Sequence, residues 1–105
     1  MQPCKNLDEV RENIDRIDQE IVKLIAERSS YVRQAAGFKK DEDAVKAPDR
    51  VEAIIKKVRG LAVEREVNPD LIEQVYRTMI SCFIELEMKE YQQSSVSYKE
   101  KLEKE

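Results

Sequence analysis

Residues 7–38 read LDEVRENIDRIDQEIVKLIAERSSYVRQAAGF, and the spacing within this stretch decides the fold. Seam positions fall at Leu7, Val10, Ile14, Ile17, Ile21, Leu24, Arg28, Tyr31, Ala35 and Phe38, with steps that alternate three and four. A heptad pattern held for roughly four repeats predicts one long amphipathic helix, Leu7 to Phe38, built to pack against other helices. Asn6 suits the N-cap, with Glu9 three residues on as its capping-box partner. At 1.5 Å per residue such a helix runs about 48 Å. A compact monomer of this size is only about 26 Å across, from a radius of gyration near 13 Å. The surplus seam needs another surface, and the simplest supplier is a second copy of the chain.

Beyond Phe38 the pattern lapses. Lys40-Asp41-Glu42-Asp43 is polar, and Pro48 disfavours helix at Ala47, so residues 39–47 read as a loop. Pro48 suits the first turn of a second helix whose apolar face is Val51, Ile54, Ile55, Val58, Leu61 and Ala62. Gly60 weakens that helix, which fades by Glu66. Asn68-Pro69-Asp70 is a third helix start: a cap, a proline at the first helical position and an acid in the positive first turn. Ile72, Val75, Tyr76, Met79, Ile80, Phe83, Leu86 and Tyr91 carry its apolar stripe, which weakens near Gln93. The expected organisation is a tail over residues 1–6, a helical domain over 7–93, and a charged tail without fixed structure over 94–105. The fold class is all-α, three helices ordered long, shorter, long.

Composition agrees and narrows the function. The chain has 105 residues, enough for one domain with a modest core. Two glycines, three prolines and 39% charged residues suit an all-helical protein. The net charge of −3 is spread with both signs interspersed, which argues against nucleic acid as the partner. No apolar run approaches a membrane span, and the N-terminus lacks a hydrophobic signal core; a cytoplasmic protein is expected. Cys4 and Cys82 read as free thiols of a reducing compartment. There is no histidine, which removes the Ser-His and Cys-His nucleophile systems and the usual zinc ligand sets. An enzyme of this composition works with Arg, Lys, Asp, Glu, hydroxyls and shape.

Arg28 stands where the heptad asks for an apolar side chain. Either it snorkels or pairs with a structural acid, or its guanidinium faces inward to receive an anion. Lys39 lies eleven residues on, close to three full turns and ~16 Å along the same face. Two cations so placed would clamp two carboxylates of one small molecule. Arg11 is about 100° around the helix from Arg28 and ~25 Å away, so it is either a solvated face residue or part of a site formed mainly by a partner chain. Glu87 is either an exposed shoulder acid, with Leu86 in the core, or a carboxyl facing the cations. Burial would raise its pKa, nearby cations would lower it, and only the protonated form donates a hydrogen bond.

The elements Val10-Arg11-Glu12, Ile14-Asp15-Arg16-Ile17-Asp18, Ala26-Glu27-Arg28, Phe38-Lys39 and Ala47-Pro48-Asp49-Arg50-Val51 together resemble the all-helical chorismate mutase family. The resemblance runs from Leu7 to Tyr91 and comes nearest to the isochorismate pyruvate lyase branch. It implies an intertwined homodimer with two equivalent sites, each taking Arg11 from the neighbouring chain and Arg28 and Lys39 from its own. The implied ligand is a small dicarboxylate. Arg11, Arg28, Lys39, Arg50, Val51 and Phe83 would bind it, with Lys39, Glu87 and Arg28 catalytic. Lys39 and a protonated Glu87 would meet the ether oxygen. The implied reactions are pericyclic and call for no cofactor or metal.

Two departures point within the family. Glu87 replaces a typical Gln, which implies activity favoured by acid. Val51 replaces a Glu that typically meets the substrate ring hydroxyl, and the preceding loop is one residue shorter; both resemble the lyase branch. The expected activity is therefore isochorismate pyruvate lyase with chorismate mutase activity. A plain chorismate mutase for Phe and Tyr synthesis and a non-catalytic helical dimer serving as an interaction module are the alternatives.

Overall fold

The computed structural model describes the backbone of residues 3–104 and the side chains of residues 3–93. Met1, Gln2 and Glu105, the ends of the two expected tails, lie outside the described residues. Among the described residues four helices follow one another: α1 (Leu7–Ala36), α2 (Glu42–Lys46), α3 (Pro48–Glu64) and α4 (Pro69–Lys104). None is long and apolar enough to cross a membrane among the described residues. Two compact units divide between Tyr31 and Val32.

The first unit is the greater part of α1. Its start is set as the sequence predicts: the Glu9 amide donates to Asn6 Oδ1 at 2.9 Å. The Glu9 carboxylate accepts from the Lys5 amide at 2.8 Å, one residue earlier than a capping box places it. The heptad seam is present and exposed: Ile14 is 50% accessible, Ile17 44%, Ile21 47% and Leu24 59%. Single exposed apolar residues are ordinary, but a regular seam of them is not.

The second unit contains the end of α1 and all of α2, α3 and α4. Helix α1 stops at Ala36, two residues before the expected Phe38. Gly37, Phe38 and Lys39 donate instead to the carbonyls three residues back, Gln34, Ala35 and Ala36. Three such bonds in succession tighten the exit, and Gly37, a poor helix former, stands at its start. Lys39 thereby leaves the helical register that the eleven-residue spacing assumed.

Residues 39–47 are also not wholly a loop. Asp41 Oδ1 accepts from the Ala44 amide at 2.8 Å and caps the single-turn α2, with Glu42 and Asp43 in its first turn and Lys46 in its last. Ala47 then turns left-handed, with φ 36° and ψ 62°, and Pro48 opens α3. At the far end of α3, Glu66 adopts φ 59°. Its amide bonds Val63 O at 3.2 Å while that of Val67 bonds Ala62 O at 2.9 Å. This left-handed cap satisfies two end carbonyls. Asn68 Oδ1 accepts from the Asp70 amide at 2.9 Å and starts α4.

Helix α4 packs against both α3 and α2. Arg59 of α3 pairs with Asp70 and Glu73 of α4, each at 2.9 Å. Arg77 grips both oxygens of Glu52, at 3.0 and 3.1 Å, and reaches Glu73 at 2.8 Å. Partners rise along α4 as they fall along α3, so the pair is antiparallel. The core beneath is Ile55, Val58 and Ala62 of α3, Ile80 of α4, Val45 of α2 and Ala36 of α1. Residues 55, 58 and 62 recur at steps of three and four, the buried stripe of an amphipathic helix. Helix α4 does not stop near Gln93 but runs to Lys104. Residues 94–104 hold no glycine or proline, and their Glu and Lys are good helix formers, so nothing local ends the helix.

Candidate active site

The structure brings two of the expected site residues into contact. Lys39 lies between α1 and α2, and Glu87 lies on α4. Lys39 Nζ stands 3.8 Å from Glu87 Oε1 and donates to the Ala44 backbone oxygen of α2 at 3.1 Å. The Glu87 side chain is 8% exposed and that of Lys39 26%. Glu87 is therefore the buried member of the pair, and Leu86 is only half-buried. Of the two sequence readings, the inward-facing carboxyl is the one observed.

The electrostatics follow from that burial. At 3.8 Å the contact is an ion pair, too long for a hydrogen bond, and Glu87 Oε1 has no hydrogen-bond partner. Burial raises the carboxyl pKa above its ordinary 4.5, while the Lys39 charge pulls it down. The two effects are of similar size: an ion pair at this range gains ~4 kcal/mol gross near a protein surface, against several kcal/mol for desolvating a carboxylate. Burial prevails, and the pKa stays raised.

A buried acid with an unbonded oxygen beside a cation has a clear chemical capacity. Ionised, it pairs with the Lys39 charge. Protonated, it donates to a ligand oxygen and leaves the Lys39 charge for an anion.

The remaining expected residues are placed as follows. Arg11 is exposed and Arg28 half-buried, both on α1 in the first unit. In the second unit Arg50 is exposed and Val51 half-buried on α3, and Phe83 is half-buried on α4. Cys4 and Cys82 are free, exposed thiols. An apolar hollow also exists where α3 meets the start of α4, floored by Val58, Ala62 and Ile72. Its nearest α4 residue, Tyr76, is eleven residues from Glu87, about 16 Å along the helix, so it is separate from the Lys39–Glu87 pair. Sequence reading missed the Ala44 carbonyl as a holder of Lys39, because it read residues 39–47 as a loop. The signal was available in Asp41 three residues before Ala44, an N-cap spacing.

Comparison with known proteins gives this geometry a family. The model of chorismate mutase type II matches residues 10–88, a span that includes every expected site residue. The isochorismate pyruvate lyase of Pseudomonas aeruginosa is 34% identical over 91 residues, 87% of this chain and 90% of that protein. The chorismate mutase of Methanocaldococcus jannaschii is 32% identical over 77 residues, 72% of this chain and 78% of that one. A bifunctional chorismate mutase/prephenate dehydratase of Aquifex aeolicus is 32% identical over 91 residues, which are 81% of this chain and 25% of its own. An all-helical chain with a buried acid–lysine pair inside such a match belongs to the chorismate mutase type II family of enzymes.

Proposed function

We propose that this enzyme acts on chorismate-type enolpyruvyl dicarboxylates as an isochorismate pyruvate lyase with chorismate mutase activity. The observation that carries the proposal is Glu87: buried, raised in pKa, and presenting an unbonded oxygen beside Lys39. A pericyclic reaction asks for nothing more reactive than this. In the lyase reaction the ring C–O bond breaks as a ring hydrogen moves to the enolpyruvyl methylene, leaving aromatic salicylate and pyruvate. Charge builds on the ether oxygen as that bond stretches. A protonated Glu87 donating to that oxygen, with the Lys39 ammonium beside it, stabilises this charge. Arg28 and Arg11 hold the two carboxylates and fold the enolpyruvyl arm over the ring. Phe83 lines the apolar side, and Arg50 supports the site from α3.

Two observations favour the lyase over the plain mutase. The similarity to the Pseudomonas lyase extends over 90% of that protein. By the family resemblance, Val51 of α3 stands where a typical mutase has a ring-hydroxyl acceptor, and a Val side chain accepts no hydrogen bond. The plain mutase reading draws on the likeness to the Methanocaldococcus chorismate mutase.

The proposed assembly is a homodimer in which each Arg11 serves the partner's site. Its support is the exposed seam of α1, which is apolar at Ile14, Ile17 and Ile21.

Purified protein given chorismate and isochorismate separately tests the proposal. Salicylate and pyruvate from isochorismate are the expected products. Prephenate alone would assign the plain mutase, and turnover of neither would overturn the proposal.

A further inference from the structure

The segment that carries Lys39 is tied to α4 at two successive residues. Glu87 meets the Lys39 ammonium at 3.8 Å. The Tyr91 hydroxyl donates to the Lys40 backbone oxygen at 3.3 Å. Glu87 and Tyr91 are four residues apart, so they stand on one face of the helix about 6 Å apart along its axis. Neighbouring residues of the segment are thus met by neighbouring turns of α4.

Polar ties within the segment and its flanks also act near Lys39. The Lys39 amide bonds Ala36 O at 3.3 Å, Asp41 caps Ala44 at 2.8 Å, and Lys39 Nζ bonds Ala44 O at 3.1 Å. Buried Val45 rests α2 in the core, but it follows Lys40 by five residues. These contacts shape the segment. The Tyr91 bond adds a directional tie from α4 to the backbone beside Lys39. Tyr91 also lies past residue 88, where the family match ends.

We propose that Tyr91 is a positioning residue, its hydroxyl pinning the Lys40 carbonyl to α4 so that the Lys39 ammonium is held at the Glu87 carboxyl before substrate arrives. This inference rests on the Lys39–Glu87 site proposed above. A lysine side chain has four rotatable bonds, so where its ammonium dwells depends on where its backbone is held. Small misplacements of catalytic charge are costly, on the order of 10²-fold in rate for 1 Å. The phenol is half-buried and bonds an exposed segment, so its loss falls on local order rather than on the fold.

The test is Tyr91→Phe in the full chain, which removes one oxygen and keeps the ring. We expect kcat/KM on the preferred substrate to fall about tenfold, with Tm unchanged. In a Lys39→Ala background the same substitution should cause no further loss, because Tyr91 acts through Lys39. Trypsin should cut after Lys39 and Lys40 several-fold faster in Tyr91→Phe than in the parent. An active parent with an undiminished Tyr91→Phe variant overturns the positioning role, as does an equal tenfold loss in the Lys39→Ala background. If the parent turns over neither chorismate nor isochorismate, the site reading itself has failed. Unchanged trypsin cleavage then still refutes the tether on its own.

Discussion

Glu87 and Lys39 form an unequal pair: the acid is buried on α4, the base is a quarter exposed beside α2, and 3.8 Å separates Oε1 from Nζ. The acid's environment favours its neutral form, while the base's charge favours the ionised one. Proton occupancy at this one carboxyl therefore decides whether the site offers a hydrogen bond or only an acceptor.

The pH dependence of catalysis follows from that balance. Burial holds the Glu87 pKa above 4.5, with Lys39 offsetting part of the effect. Activity on chorismate or isochorismate should be full below the raised pKa and fall as pH rises through it. Glu87→Gln keeps a donor at every pH, so its profile of kcat/KM should lack that falling limb. A variant that retains the limb would move the titration to another group.

Stability should carry the same signature. A raised folded-state pKa means that the folded chain binds the proton more tightly than the unfolded chain. The stabilising contribution is complete below about 4.5 and is lost as pH rises through the folded value. Lys39→Met removes the cation that offsets burial and raises the pKa further. We expect it to destabilise the fold by about 1–2 kcal/mol at pH 7, the range for an unsatisfied buried polar group next to solvent. At pH 4 the loss should be smaller. Urea melts at the two pH values measure the difference, and equal losses would mean that Glu87 is not the responsible group.

The seam of α1 makes a prediction about assembly. Ile17 is 44% exposed in the single chain. Were it a surface residue in solution, Ile17→Glu would change stability by no more than about 0.5 kcal/mol. In the proposed homodimer it places a charge in the middle of an apolar interface. Sedimentation should then show monomers where the parent sediments as a dimer, and activity should fall with dimer content because Arg11 no longer reaches the second site.

Two glycine exchanges of opposite sense should both stabilise the second unit. A Cβ at Gly60 meets nothing within 4 Å, and the residue sits inside α3. Gly60→Ala should add about 0.5–1 kcal/mol by restricting the unfolded chain. Glu66 stands at φ 59°, where an L side chain is strained by about 1–2 kcal/mol. Glu66→Gly relieves that strain and gives back part of it as chain entropy, for a net gain of up to about 1 kcal/mol. Thermal melts of each variant decide the sign.

Particular residues show why some features are legible in sequence and others are not. Asn6 and the Asn68-Pro69 pair act on amides within two or three residues, so the starts of α1 and α4 can be read locally. The turn after Ala36 is less legible, because three i→i−3 bonds replaced the last helical ones. The end of α4 was misread for a related reason. A fading apolar stripe reports what a helix packs against, and it leaves open whether the backbone continues.

The seam of α1 and the capped starts of α1 and α4 were determined by the sequence alone, because each is a matter of periodicity or near-neighbour bonding. Tertiary structure alone decided the state of Glu87. From the stripe of α4, either Leu86 or Glu87 was free to face the core, since the two differ by one step around the helix. The packing of α4 against α2 and α3 buried Glu87 and brought Lys39 beside it from far upstream. Burial and a distant charge set a pKa, and neither is a property of the residues on either side.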